Sequence, residues 1–251
     1  MIELFGVQIA LDYRLALIVG AVFVGGLIRG FAGFGSALLI IPAFALVFSS
    51  REAVAMENIV EIPATLILLR GLARDAQRPV VGPMMLSLLI TVPIGGLALV
   101  FLDDAIMKIA ISIAVLLMVA ILALQRKVRA VISRRAAMAA ALFSGLIQGS
   151  TGVGGPPAVV TLLALGENSV VSRANVIAFM FGMQVMSLVV CTAYGLMTRE
   201  VVVTGLLLSP ILLLSVYVGI AGFRRFGDVW LRPVALAMVA VTALVTLGSA
   251  L

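Results

Sequence analysis

Histidine is absent from the 251 residues, and cysteine and tryptophan occur once each. Without histidine there is no imidazole base and no imidazole metal ligand. The single thiol, Cys191, excludes an internal disulfide and reads as a packed group in an apolar run. Charge is scarce too: 11% of the residues are Asp, Glu, Lys or Arg, against roughly a quarter in an ordinary soluble domain. No metal site, cofactor or catalytic group is expected from this set. An embedded enzyme would have only Glu57 and Glu61 to work with.

What the chain does have is hydrophobic length. Apolar residues make up 63% of it, and its mean hydropathy is +1.29. Runs such as Leu15 to Ile28, Val80 to Leu102 and Pro233 to Leu251 approach or exceed the roughly 20 residues of a spanning helix. They recur along the whole chain, so the lipid bilayer is its first expected partner. The net charge of +6 does not read as a nucleic-acid footprint. The basic residues sit in short loops between apolar runs, where cytoplasmic bias puts them, and form no stripe. Glu3 and Asp12 precede the first run, unlike the basic start of a cleaved signal peptide. The expectation is a multi-pass protein of an inner (cell) membrane.

The chain repeats itself. Gly26-Leu-Ile-Arg-Gly-Phe-Ala-Gly-Phe-Gly-Ser36 aligns without gaps on Gly145-Leu-Ile-Gln-Gly-Ser-Thr-Gly-Val-Gly-Gly155, with six of eleven positions identical and four of those glycine. Asn58 then falls opposite Asn175, Gly96 opposite Gly219, and Asp104 opposite Asp228. This divides the chain into a first membrane repeat, 1–124, a basic cytoplasmic linker, 125–135, and a second repeat, 136–251. Each half reads as a glycine-broken pair of short segments, 18–31 with 36–48 and 137–150 with 156–166. Three spans follow each pair: 53–73, 80–101 and 105–124, then 173–197, 201–221 and 230–250.

Segments of about 11 to 14 residues reach only about 17–21 Å, too short to cross a ~30 Å hydrocarbon core. Each pair therefore reads as a re-entrant hairpin, or as a helix broken in mid-membrane. With returning hairpins the second half is upside down relative to the first, and both termini face away from the cytoplasm. The loops on the cytoplasmic side then hold twelve basic residues against four opposite. If each pair were one span, the best split would be ten against six. The positive-inside rule favours the first arrangement. The expected fold is thus an all-α polytopic membrane protein with two inverted-topology repeats, each a broken or re-entrant helix pair plus three transmembrane helices. Such repeats place a transport site near the midplane.

The glycine tips carry the first candidate residues, Gly33, Gly35 and Ser36 in one half and Gly152, Gly154 and Gly155 in the other. Each precedes a short helix whose first N–H groups and positive dipole end suit an anion. Close helix packing is the plainer use of such glycines. They do not read as nucleotide loops, since no strand precedes them and no Gly-Lys-Ser/Thr follows. Arg29 lies inside an apolar run, where a charge costs at least about 2.5–3.5 kcal/mol, and its repeat mate is Gln148. It meets an anion, pairs with a carboxylate for structure, or snorkels to an interface. Glu57 and Glu61 share a helical face and are the proton-coupling candidates, although Glu57 also suits a membrane surface beside Arg51 and Glu52. Asn58 and Asn175, matched across the repeat, suit hydrogen bonds to substrate or to the tips. Gln184, Ser187 and Thr192 are weaker polar candidates.

The two glycine signatures, the second continuing into Pro156-Pro157, resemble those of the TauE/SafE sulfite exporter family along nearly the whole chain. Phe34 and Ser36 depart from the commoner, more glycine-rich form of the first. The resemblance implies membrane transport, often export, of sulfite or of organosulfur and related organic anions. The resulting expectation is a secondary transporter of a small anion, working by alternating access and coupled to a proton or to the membrane potential. The alternative is a passive anion channel or facilitator. Neither reading fixes the oligomeric state.

Overall fold

The computed structural model describes residues 2–4, 7–9, 13–72, 75–124, 133–165 and 169–226, together with residue 248. Residues 125–132 of the linker expected at 125–135, and the last span expected at 230–250 apart from residue 248, lie outside them. The rest is helical apart from a short antiparallel hairpin, β1 (Ile2–Leu4) with β2 (Val7–Ile9), which the hydropathy pattern did not announce.

The first broken pair is α1 (Tyr13–Ala32) and α2 (Ala37–Ala45), followed by α3 (Ser50–Leu72), α4 (Arg78–Phe101) and α5 (Asp104–Leu124). The second pair is α6 (Arg134–Thr151) and α7 (Gly155–Ala164), followed by α8 (Ser169–Ala193) and α9 (Arg199–Phe226). Five of the described helices, α1, α4, α5, α8 and α9, are long and apolar enough to cross a membrane. Their outward faces carry Leu86, Ile90, Phe101 and Leu214, all well exposed, as a lipid-facing surface requires. The protein is a polytopic, multi-pass membrane protein.

The broken pairs differ from expectation in their first arms. These run for 20 and 18 residues rather than about 14, or about 30 and 27 Å. Hydropathy placed their starts too late, because Tyr13, Arg14, Arg134 and Arg135 are polar yet good enough helix formers to extend the first turn. Arg134 and Arg135 thus belong to α6 and not to the linker. Ser133 caps that helix, its Oγ accepting from Ala136 N–H at 3.3 Å. The second arms are as short as expected, at 9 and 10 residues.

Both second arms fold back on the first. A methyl group at Gly25 would press on Ile40, and Gly35 lies by Ile28. In the other half, Ala158 N–H donates to Ser144 Oγ at 3.1 Å. Residues 15 apart in the first pair and 14 apart in the second are thus neighbours, which a helix that simply continued could not achieve.

Packing does not respect the sequence halves. One hydrophobic core is drawn mainly from α1, α2, α3, α5 and α9, with Val22, Ile40, Phe44, Val54, Ile111 and Leu212 at its centre. The other is drawn from α4, α6, α7 and α8, around Met84, Leu88, Ala141, Leu162 and Phe179. Each core takes the broken pair and third helix of one half with the fourth helix of the other. Glycine seams fix this exchange. Gly26 and Gly30 of α1 lie directly against Ser215 and Val216 of α9, and Gly145 and Gly149 of α6 lie against Thr91 and Val92 of α4. The numbering rises together along both seams, so each pair is parallel. Small residues let backbones approach this closely where no hydrophobic force drives helices together.

Two details hold α3 in place. Arg51 donates to the terminal carbonyls of α4, Leu99 at 3.1 Å and Val100 at 2.6 Å, which satisfies groups that a helix end leaves open. Pro63 has no N–H for the Ile59 carbonyl four residues earlier. Ser209 Oγ of α9 donates to that carbonyl instead, at 3.4 Å.

Candidate functional site

Both glycine tips converge on the middle of α3. At the first tip, Gly33 and Gly35 take φ of +84° and +97°, a region closed to most other residues. Gly33 N–H donates to Arg29 O at 2.7 Å, and α2 starts from Ser36, whose carbonyl accepts from Leu39 and Ile40. The Arg29 guanidinium then reaches three groups. It pairs with Glu61 Oε2, the twelfth of the 23 residues of α3, and donates to Ser36 Oγ at 3.3 Å and to Thr65 Oγ1. Ser36 Oγ donates in turn to Glu61 Oε1. Arg29, Ser36, Glu61 and Thr65 are all buried.

At the second tip Gly152 closes α6 in the left-handed region, φ +75°, its N–H donating to Gln148 O at 2.9 Å. Gln148 Oε1 accepts from Gly154 N–H at 3.1 Å. Repeat mates thus do matching work: a side chain from the last turn of each first arm ties down the tip that follows. The open N–H groups expected at this tip are mostly taken or missing. Gly154 is tied to Gln148, Pro156 and Pro157 have no N–H, and Ala158 is tied to Ser144. Gly155 alone among the first-turn positions keeps an N–H that none of these groups uses.

Between the tips lies a pocket. Its wall takes Arg29, Phe34 and Gly35 from the first hairpin, and Gln148, Gly152 and Gly155 from the second. Glu57 and Glu61 of α3 and Met180 and Gln184 of α8 complete it. Phe34 on this wall packs against both hydrophobic cores, and Val153 of the second tip packs into the first core, so the pocket sits where the two bodies meet.

Two polar groups on this wall stand out. Among the described residues, Arg29 Nε has no hydrogen-bond partner although the residue is 4% exposed. Glu57, at 1% exposure, has no partner among them within 3.5 Å of either oxygen, although Glu61 and Gln184 are its polar neighbours. Glu57 is therefore not at a surface beside Arg51 and Glu52. Those two residues serve the helix ends: Glu52 Oε2 accepts from Ser49 N–H at 2.9 Å while Glu52 N–H donates to Ser49 Oγ at 3.3 Å, a capping box.

Of the sequence candidates, Arg29, Gly35, Glu57, Glu61, Gln148, Gly152, Gly155 and Gln184 line the pocket. Gly33, Ser36 and Gly154 shape the tips from behind. Asn58 is buried one layer back, where its Oδ1 accepts from Gln184 Nε2 at 3.0 Å and its Nδ2 donates to Val54 O at 2.9 Å. The structure does not bring Asn175 to the pocket. Its Oδ1 accepts from Gln77 N–H at 2.7 Å, where α4 begins. Thr65 was passed over, yet Glu57, Glu61 and Thr65 recur at steps of four, so one face of α3 carries all three. The wall position Met180 gave no signal, since it reads as an ordinary apolar residue, and Phe34 was marked only as a departure from the glycine-rich signature.

The sulfite exporter TauE/SafE family matches residues 17–246 of the chain. No curated protein and no solved structure matches it.

Proposed function

Because the chain belongs to the sulfite exporter TauE/SafE family, a family of membrane transporters, we propose that it is a secondary transporter of a small anion. The substrate is sulfite or an organosulfur or organic acid anion, exported across a bacterial cell membrane. The observation that carries this reading is the pocket between the two glycine tips, halfway along α3, with the Arg29 guanidinium on its wall. A buried cation whose Nε has no hydrogen-bond partner among the described residues is a donor suited to an oxyanion. Irregular backbone at such depth is tolerated where it lines a cavity.

Alternating access is supported by the packing. Two cores, each crossing the sequence halves, meet at the pocket, and the glycine seams bind each broken pair to its own body. Rocking of one body against the other would open the pocket to one side and then to the other. The fold-back of both second arms supports two repeats of opposite orientation, 1–124 and 136–251, with the linker on the cytoplasmic side. Asn58 and Gln184 bridge the bodies and brace the wall, and Asn175 anchors the start of α4.

The test is flux of labelled sulfite, sulfoacetate and sulfate in liposomes holding the purified protein. Saturable movement of one of them, driven uphill by an imposed proton gradient or membrane potential, is expected. Strictly downhill movement would make the protein a facilitator, and no movement of any by folded protein would remove the sulfur-anion assignment.

A further inference from the structure

The pocket wall holds one cation and two carboxyl groups, Arg29, Glu57 and Glu61. Their roles are unequal. Glu61 is committed to Arg29 and Ser36, and the pair it forms is neutral. Glu57 is equally buried, opens on the same pocket, and has no hydrogen-bond partner within 3.5 Å of either oxygen among the described residues. Among those residues the charged or titratable groups that face it are Arg29 from α1, Glu61 on its own helix and Cys191 from α8. Gln184 of α8 adds a neutral amide. Helix α2 is apolar throughout, and α5 and α9 carry their charges near their ends.

With Glu57 ionised, these groups sum to one negative charge, and a second anion entering the pocket would meet repulsion where water screens little. With a proton on Glu57 the wall is neutral, and Arg29 Nε can meet the anion. The empty pocket with Glu57 ionised and the loaded pocket with Glu57 protonated then carry the same net charge, minus one. Both can pass through the hydrocarbon region at equal electrostatic cost. The two mixed states, a proton without an anion or an anion without a proton, differ from them by a full charge.

Resting on the transporter reading above, we propose that the Glu57 carboxyl carries one proton with each monovalent anion, so that anion and proton cross together and the movement is electroneutral. The proton is taken onto a Glu57 oxygen on the side where the anion enters and leaves with the anion on the other. Export then follows the outward gradient of the anion and its proton together, and the membrane potential does not drive it.

The experiment uses the full-length protein in liposomes with labelled sulfite. Three readings are taken: exchange at equal concentrations, accumulation under a pH gradient, and accumulation under a potassium diffusion potential at uniform pH. The wild type should exchange sulfite and accumulate its monovalent form, hydrogensulfite, on the alkaline side, by about tenfold for a gradient of one pH unit, the limit set by one proton per anion. It should not respond to the potential alone. Glu57→Gln should lose the gradient-driven accumulation and the pH dependence of exchange. Glu57→Asp, which keeps a carboxyl group, should retain accumulation at a lower rate. Accumulation driven by the potential in the wild type overturns the proposal without any variant having to fold. Gradient-driven accumulation that persists in Glu57→Gln also overturns it, while exchange in the same vesicles leaves the transporter reading intact. Absence of wild-type sulfite exchange overturns the proposal together with the sulfite assignment it uses.

Discussion

Replacing Glu61 by glutamine keeps the shape of the cluster at the first tip and removes one of its charges. Arg29 and Glu61 are 4% and 5% exposed, so the guanidinium left behind is a buried cation held by the hydroxyls of Ser36 and Thr65, with the Glu57 carboxyl as its remaining charged neighbour among the described residues. Breaking one side of a buried ion pair typically costs about 3–5 kcal/mol. In soluble chains of this size each kcal/mol moves the melting midpoint by about 2–4 °C, which places Glu61→Gln roughly 6–20 °C below the parent. Arg29→Gln strands a carboxylate instead and belongs in the same range. The double variant removes both charges, and with them the desolvation penalty, so it should melt above either single variant. The assay is thermal unfolding of the purified proteins in one detergent, with and without sulfite. Sulfite should restore part of the loss in Glu61→Gln, where an anion can take the place of the missing carboxylate, and none in Arg29→Gln. A ligand at 100 times its Kd contributes about 2.7 kcal/mol, well within the resolution of such a melt. Losses that simply add in the double variant would refute the coupled pair. Equal sulfite stabilisation of Arg29→Gln would remove Arg29 from the anion's site.

Gly30→Ala and Gly149→Ala each set a methyl group against backbone across a seam, and thermal unfolding should show a loss of about 1–3 kcal/mol. Gly82→Ala, with open space around it, should unfold no earlier than the parent. Gln184→Leu withdraws the amide that donates to Asn58 at the junction of the two bodies; leaving a buried acceptor unpaired costs about 1–3 kcal/mol, read from the same melt. A reporter fused to the C-terminus should be active only on the non-cytoplasmic side. A cytoplasmic signal would sink the inverted arrangement.

Helix positions were legible because hydropathy marks them directly. The spans read at 53–73, 80–101 and 105–124 lie within three residues of α3, α4 and α5 at every boundary. The starts of α1 and α6 were misjudged because hydropathy stops at the first charge, whereas a helix stops at its cap, such as Ser133. The exchange of α4 and α9 between the two bodies could not be read at all. A glycine in a sequence says that something comes close and not what, and only the structure pairs Gly30 with α9 and Gly149 with α4. For the site, charges in apolar runs were a sound guide: Arg29, Glu57 and Glu61 all meet at one pocket. Repeat symmetry was a poorer guide for Asn58 and Asn175. The first lies behind the pocket and the second at the start of a helix, because a polar residue in a membrane bundle bonds whatever its neighbours offer.

The pairing of Arg29 with Gln148 bears on how much of the arginine's work is structural. Both end the first arm of a broken pair, and both hydrogen-bond to the residue that starts the second arm, Ser36 in one half and Gly154 in the other. A neutral amide suffices for that bracing, as Gln148 shows. The brace therefore does not account for a charge at Arg29, nor for the buried carboxylate that must accompany it at a cost in desolvation. What the charge adds is a cation at the pocket wall with one N–H still open. The repeat thus supplies its own control. Arg29→Gln installs in the first half the side chain that already braces the second, so that variant should keep its tip folded and lose the anion.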